Sequence, residues 1–447
     1  MHSSRLVLLV TSVILCAFGL VIASSWATRH AINCGPRFSE KQRDLILEVS
    51  ELPNKLNISI AILKNSIHQK GVSNVYYNYI EPVNQSRLLS GFLLVSRVAE
   101  SGNSCLAIIN LSNRVSKDIN IPENVESLGK YTDSLNGSEH RRQEAISRKK
   151  IFWHPHLSEN GSLTYCTPWN DLVSIDLNNM QIRWKIRGAF HHSIEPDYNG
   201  DIWACGAIQP GSIRGSNIFS KHSNNGFEDQ ALVKVSSSGK VLKTISVADL
   251  IVNSGLEYLL YGVSNPNLIL DPLHLNQITP ILRDDGIFKK GFLLVSLRNV
   301  STILLVDPDS ESIKFHQTGP WMNQHCVVPT GKSEFSVFDN HSFASGDHWL
   351  KSDWRTQILI HKIDSGRTEE VVFNKITPRN FYIATEGRAL KISADVWMIE
   401  DSALGTIMFF QDQKLIFKWS NLYSDGTVGV TSWCRYIPTY GLGNLVF

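Results

Sequence analysis

One strand–turn–strand unit recurs six times in this chain. The copies are LAIINLSNRVSK (106–117), VSIDLNNMQIRWKIRG (173–188), LVKVSSSGKVLKTI (232–245), LLVDPDSESIKFHQTG (304–319), LIHKIDSGRTEEVVF (359–373) and IMFFQDQKLIFKWSN (407–421). Aligned on the turn, they place Asn110, Asp176, Ser236, Asp307, Asp364 and Gln411 at 47 to 71 residue intervals. A lone hairpin cannot bury both of its faces, so such a repeat needs neighbours. A four-stranded blade takes about 40–50 residues, and propellers carry roughly four to eight of them. The spacing therefore predicts an all-β fold, a six-bladed β-propeller over residues 88–447. A pair of β-sandwiches is the competing arrangement. The even texture and the lack of a linker between copies disfavour it. The last β-rich stretch, TVGVTSWCRYIP (427–438), is expected to pair with an N-terminal strand and close the ring.

The chain of 447 residues is 43% hydrophobic, enough for a large core. Its net charge is only +2 with no long basic run, so nucleic acid is not expected as a partner. The basic stretch HRRQEAISRKK (140–150) reads as a solvated loop. Ahead of the repeats, Leu6–Ala23 is almost wholly apolar and follows Arg5. It suits either a membrane anchor or a signal peptide cleaved after Ser25-Trp26-Ala27. Residues 1–27 are thus expected to be a signal anchor or signal peptide, and 28–87 a juxtamembrane linker. Either reading puts residues 28–447 outside the cytosol (periplasmic, lumenal or extracellular), with membrane contact through residues 6–23. Beyond Cys16, six cysteines remain, Cys34, Cys105, Cys166, Cys205, Cys326 and Cys434, widely spaced and without a CxxC. That argues against a zinc knuckle and leaves disulfide pairing open.

Histidines fall in loops beside the repeats. His191 and His192 follow the second copy, His274 and Arg298 precede the fourth, and His325 follows it. Equivalent loops of a propeller converge at one mouth of the central channel, so residues far apart in sequence are expected to meet there. Neutral imidazole is a nucleophile and general base near pH 7. Arginine stays cationic and presents a planar fork of donors that fits oxyanions. Imidazoles with a guanidinium, and no clustered carboxylate, suit transfer of an anionic group such as sulfuryl or phosphoryl. The chain has no GxxxxGK[ST] loop, no GxGxxG fingerprint and no GxSxG elbow. No cofactor is expected. A zinc or copper site built on the histidines is the competing chemistry. An arginine among them would repel the cation, so no metal is expected. His154-Pro155-His156 reads as packing beside Trp153, with both imidazoles on one strand face.

In these stretches the sequence resembles the arylsulfotransferase family, the sulfate-ester-dependent propeller enzymes. The resemblance rests on FHHSIEPDYNGDIW (190–203), DPLHLNQITP (271–280), LLVSLRN (293–299), QHCVVPTGKSEFSVFDN (324–340) and TEGRALKISADVWMIEDSALGTIMFF (385–410). It implies a six-bladed propeller that moves a sulfuryl group from a phenolic sulfate ester to a phenol through a sulfohistidine. By motif, His325 resembles the nucleophile, His274 and Arg298 the group holding the sulfate oxygens, and His192 or its neighbour His191 the remaining histidine. Three positions depart from the family pattern: Ser193, Gln277 and Cys326. Those departures, with the apolar leader, also suit a non-catalytic, membrane-tethered binding propeller. The enzyme reading requires the four side chains to share one pocket, with Nε2 of His325 facing open space.

Overall fold

The computed structural model describes residues 89–438, apart from 103, 120, 122–129, 136–151, 168–169, 209–227, 262–270, 346–347, 351–355, 374–380 and 384. The apolar stretch 6–23, the segment 28–87 and the basic stretch 140–150 lie outside the described residues. Among the described residues, no helix is long and apolar enough to cross a membrane.

The strands form six antiparallel sheets arranged as a six-bladed propeller. Each of the six repeat units spans the third and fourth strands of one blade. The inner strands are Thr431–Ile437 in blade 1, Trp153–Leu157 in blade 2, Phe190–Pro196 in blade 3, Leu275–Pro280 in blade 4, His325–Gly331 in blade 5 and Arg388–Lys391 in blade 6. Each blade is completed by three strands that follow in sequence, except in blade 1. There the inner strand comes from the C-terminal part of the chain and pairs antiparallel with Phe92–Val98, closing the ring as expected. Blade 2 gains a fifth, short strand, Asp133–Ser134, parallel to its outer edge.

Burial follows position in the blade. Middle strands such as Leu293–Leu297 are buried throughout, because both faces pack against neighbouring blades. Outer strands such as Ser312–Thr318 alternate, with one face in water. Six hydrophobic clusters result, each at the junction of two adjacent blades. Two short helices, Val247–Asn253 and Tyr258–Tyr261, follow blade 3 and pack into the cluster between blades 3 and 4. Ser246 caps the first, its hydroxyl accepting from the Asp249 amide at 2.9 Å.

The closing strand is held at its sides by charged groups. Glu400, fully buried in blade 6, accepts from the Thr431 hydroxyl at 2.8 Å and the Cys434 amide at 2.8 Å. Arg388 donates to the Cys434 carbonyl at 2.9 Å. Arg435 reaches across to blades 2 and 3, donating to the carbonyls of Pro155 and Ile194 and pairing with Glu195 at 2.7 Å. A hydrogen bond to a charged group contributes about 1.5–3 kcal/mol, and more is lost when the partner is left buried and unpaired. Glu400→Ala is therefore expected to lower unfolding stability by roughly 3–5 kcal/mol, measured by urea denaturation. A loss within error of zero would show that ring closure does not depend on this carboxylate.

Candidate active site

The inner strands share a local distortion near their N-terminal ends. Pairing with the second strand slips between Trp153 and His156, Ala204 and Cys205, Leu275 and Gln277, His325 and Val327, and Leu94 and Ser96. Left-handed residues sit at four of these bulges, His154 (φ 49°), His192 (φ 52°), Cys326 (φ 36°) and Trp433 (φ 54°), whereas in blade 4 the left-handed His274 (φ 53°) lies just before the strand, two residues ahead of the bulge at Asn276. In blade 6 the same role falls to Glu386 (φ 60°) and Gly387 (φ 80°), just before the inner strand. A bulge bends the strand and re-aims its side chains, so residues that would alternate between faces turn toward the axis instead. This corrects the expectation that His154 and His156 share one face: the slip falls between them.

The sequence-selected histidines come together here. The His192 ring meets His274 edge-to-face at 5.0 Å, and His191 meets His192 at 5.0 Å with their Nδ1 atoms 2.8 Å apart. Whereas His274 lies just before the inner strand of blade 4, His192 sits at the bulge of blade 3. His191 sits behind it in the strand, opposite Cys205. Arg298 ends the second strand of blade 4, its backbone amide bonded to the His274 carbonyl at 3.0 Å. Its guanidinium donates to Asn299 Oδ1 at 3.1 Å. Burial lowers its pKa to about 10, against the opposing pull of Asp271 and Glu386, so it stays cationic at neutral pH.

His325 is only 2% exposed, and neither of its two partners was legible in the sequence. Its Nδ1 lies 2.7 Å from Asn340 Oδ1. The Asn340 amide nitrogen donates to the carbonyls of Ile383 (2.9 Å) and Glu386 (2.8 Å). Its oxygen must therefore accept, which puts the proton on Nδ1 of His325 and the lone pair on Nε2. The Glu386 amide, 3.3 Å away, donates to that lone pair. Nε2 thus faces a backbone amide rather than open space, contrary to what the sequence reading required. Burial, then the nearby Arg298, holds the His325 pKa well below the usual histidine range.

Asp271 is the second missed partner. It accepts from the His274 amide at 2.9 Å and contacts His274 Nδ1 at 2.6 Å. A carboxylate three residues before a histidine in a short loop is a signal the sequence carried. Asn340 carried none, since only the fold brings it to His325.

The three departures from the family pattern have structural work between blades. The Ser193 hydroxyl accepts from the Ile278 amide at 2.8 Å, linking blades 3 and 4. Gln277 Oε1 accepts from the Val327 amide at 2.6 Å, linking blades 4 and 5. The Cys326 thiol donates to the Ala389 carbonyl at 3.3 Å, linking blades 5 and 6. All five described cysteines are free thiols. Among the described residues, no group of three or more His, Cys, Asp or Glu side chains is arranged to hold a metal ion. A cavity of about 860 Å³ lies at the opposite ends of the inner strands, beside Pro196, Val328, Leu390 and Tyr436. None of His192, His274, Arg298 and His325 lines it.

A sequence model of the family described as Arylsulfotransferase (ASST) matches residues 172–421, more than half of the chain. The chain belongs to the arylsulfotransferase family. The match contains His191, His192, His274, Arg298 and His325, and it supports aryl sulfotransferase-like function. No curated protein sequence matches this chain. Its likenesses among solved structures are remote. A protein of unknown function from Bacteroides caccae is 12% identical with a TM-score of 0.46, over 78% of this chain and 99% of that one. Virginiamycin B lyase from Staphylococcus aureus is 12% identical with a TM-score of 0.35, over 62% and 72%.

The Asn340 contact fixes a spectroscopic outcome. The His325 ring nitrogens should show the Nδ1–H form, with no titration between pH 6 and 8, in ¹⁵N NMR. Asn340→Ala should release that tautomer. A wild-type ring that titrates near pH 6.5 would contradict the assigned hydrogen bonds.

Proposed function

We propose that this protein transfers a sulfuryl group from a phenolic sulfate ester to a phenol through a sulfohistidine on His325. The observation that carries the reading is the pair of Asn340 donors, which leaves the lone pair of a buried, neutral imidazole on Nε2. In the first half-reaction, Nε2 attacks sulfur and a new N–S bond forms. The S–O bond to the aryl group breaks, and its electron pair leaves with the phenolate oxygen. Charge balances: a neutral imidazole and a sulfate-ester anion give a zwitterionic sulfoimidazolium and a phenolate. The proton stays on Nδ1 and is donated to Asn340 Oδ1, which supports the positive ring. In the second half-reaction the acceptor enters as its phenolate, its proton having gone to water; its oxygen attacks sulfur, the N–S bond breaks and His325 recovers its lone pair.

Arg298 supplies a permanent cation for the peripheral sulfuryl oxygens. His274, held through Nδ1 by Asp271, is the second group the reading places against them. Such fixed donors contribute on the order of 3–4 kcal/mol apiece to a transition state that gathers negative charge. The Glu386 amide has to leave Nε2 before attack, and a sulfuryl oxygen is its natural new acceptor.

The second reading is a binding propeller without turnover. The burial of His325 and the amide on its Nε2 favour it. We also propose, from the apolar stretch 6–23, that residues 28–447 work outside the cytosol. Protease digestion of intact cells, with and without permeabilisation, tests this.

Purified full-length protein should move sulfate from 4-nitrophenyl sulfate to phenol, followed by release of 4-nitrophenolate. His325→Ala should abolish transfer. Arg298→Lys, which keeps the charge and loses the fork, should lower kcat/KM by about 10²-fold. Turnover that survives His325→Ala would rule out the sulfohistidine. Binding of aryl sulfate with no turnover would support the second reading.

A further inference from the structure

The reaction assigned above needs something on the far side of the axis from His325. In-line displacement puts the entering nitrogen and the departing oxygen on opposite sides of the transferred group, as in phosphoryl transfer. Around the axis the inner strands contact one another in the order of blades 1, 2, 3, 4, 5 and 6. Blade 2 is therefore three places from blade 5, directly across the ring. The residue at the bulge of its inner strand is His154.

His154 occupies at the bulge of blade 2 the position that His192 holds in blade 3, with the same left-handed backbone. Its ring meets His192 at 6.1 Å, and His192 meets His274 at 5.0 Å, so the imidazoles form a continuous arc over three blades. It is 3% exposed, and its Nδ1 has no hydrogen-bond partner. Buried polar atoms are nearly always paired, so an orphaned one near an axial site suggests a partner that arrives with substrate. The ring is held still: it stacks on Trp433 at 4.3 Å and 21°, and the Arg388 guanidinium lies 4.3 Å from the same indole. Burial, then Arg435 and Arg388, keeps this imidazole neutral. His154 and Trp433 both lie outside residues 172–421, so family membership assigns them no role.

We infer that His154 donates a hydrogen bond to the aryl oxygen as the S–O bond breaks. The inference rests on the sulfuryl-transfer reading and adds the group that receives the leaving phenolate. A neutral imidazole has a single N–H and keeps it. The phenolate departs as the anion and takes its proton from water afterwards, so the balance of the step is unchanged. In the return half-reaction the acceptor oxygen occupies the same place.

The test is leaving-group dependence in the full-length protein. His154→Phe keeps an aromatic ring against Trp433 and removes the N–H; His154→Gln restores a donor. With phenyl sulfate, a poor leaving group, His154→Phe should lose about 10²-fold in kcat/KM. With 4-nitrophenyl sulfate, whose phenolate needs less help, the loss should be less than about tenfold. His154→Gln should recover part of the phenyl sulfate rate. Equal losses on both donors, or none, would overturn the inference, because a packing role does not distinguish leaving groups. Should His154→Phe fail to fold, His154→Leu, which also lacks the N–H, decides. A leaving-group dependence steeper than wild type supports the inference, and an unchanged one overturns it. Wild-type protein inactive on both donors, or full turnover in His325→Ala, would instead overturn the sulfuryl-transfer reading itself.

Discussion

Everything at the axis depends on how the ring is closed. The strand Thr431–Ile437 must pair with Phe92–Val98, over 300 residues away in sequence. Side chains lock that pairing to the neighbouring blades. Glu400 and Arg388 hold the closing strand from blade 6, while Arg435 grips blades 2 and 3. The Arg435–Glu195 pair is nearly dry, and a dry pair tolerates desolvation only when its remaining donors are used. They are: the guanidinium also serves the Pro155 and Ile194 carbonyls, and Glu195 also accepts from the Trp433 indole at 3.2 Å. Glu195 remains ionised because, although burial pushes its pKa up, Arg435 and Arg388 pull it below the ordinary range.

Ring closure also fixes the distances between blades, and the bulges convert that geometry into a site. A left-handed, non-glycine residue costs on the order of 1 kcal/mol or more, yet four of the six inner strands carry one at their bulge. In blades 1, 2 and 3 that residue carries a ring: Trp433, His154 and His192. Residues of the bulged segments also bond sideways to the adjacent blade in three consecutive cases, Ser193, Gln277 and Cys326. These hydroxyl, amide and thiol groups were departures from the family pattern, and each is engaged in stitching one blade to the next. They hold the site in place without lying in it.

The electrostatics of the site follow from the same burial. His154 and His325 are kept neutral by desolvation and by nearby arginines, while Arg298 keeps its charge despite burial. A neutral imidazole beside a fixed cation leaves a positive field that is present before any anion arrives and needs no reorganisation. The Glu386 amide donates to the Nε2 lone pair of that imidazole.

Much of the architecture was legible in the sequence, because blades are local objects. Strand pairs joined by short turns announce themselves by alternation and by Asp, Asn, Ser and Gly at fixed places, and six copies can be counted without coordinates. The histidines and Arg298 could be singled out from their loops, and Asp271 was readable three residues before His274. Other features were decided only by the tertiary structure. Pro155 and its neighbours look like a regular strand, but the bulge that turns His154 inward depends on pairing with Cys166 and Thr164. Asn340 reaches His325 because two strands of blade 5 lie side by side, and its orientation depends on carbonyls that arrive from the turn before blade 6. Sequence determines which groups the chain owns and how each blade is made. Only closure of the ring determines which groups face one another, because contacts across an axis join segments that no local pattern connects.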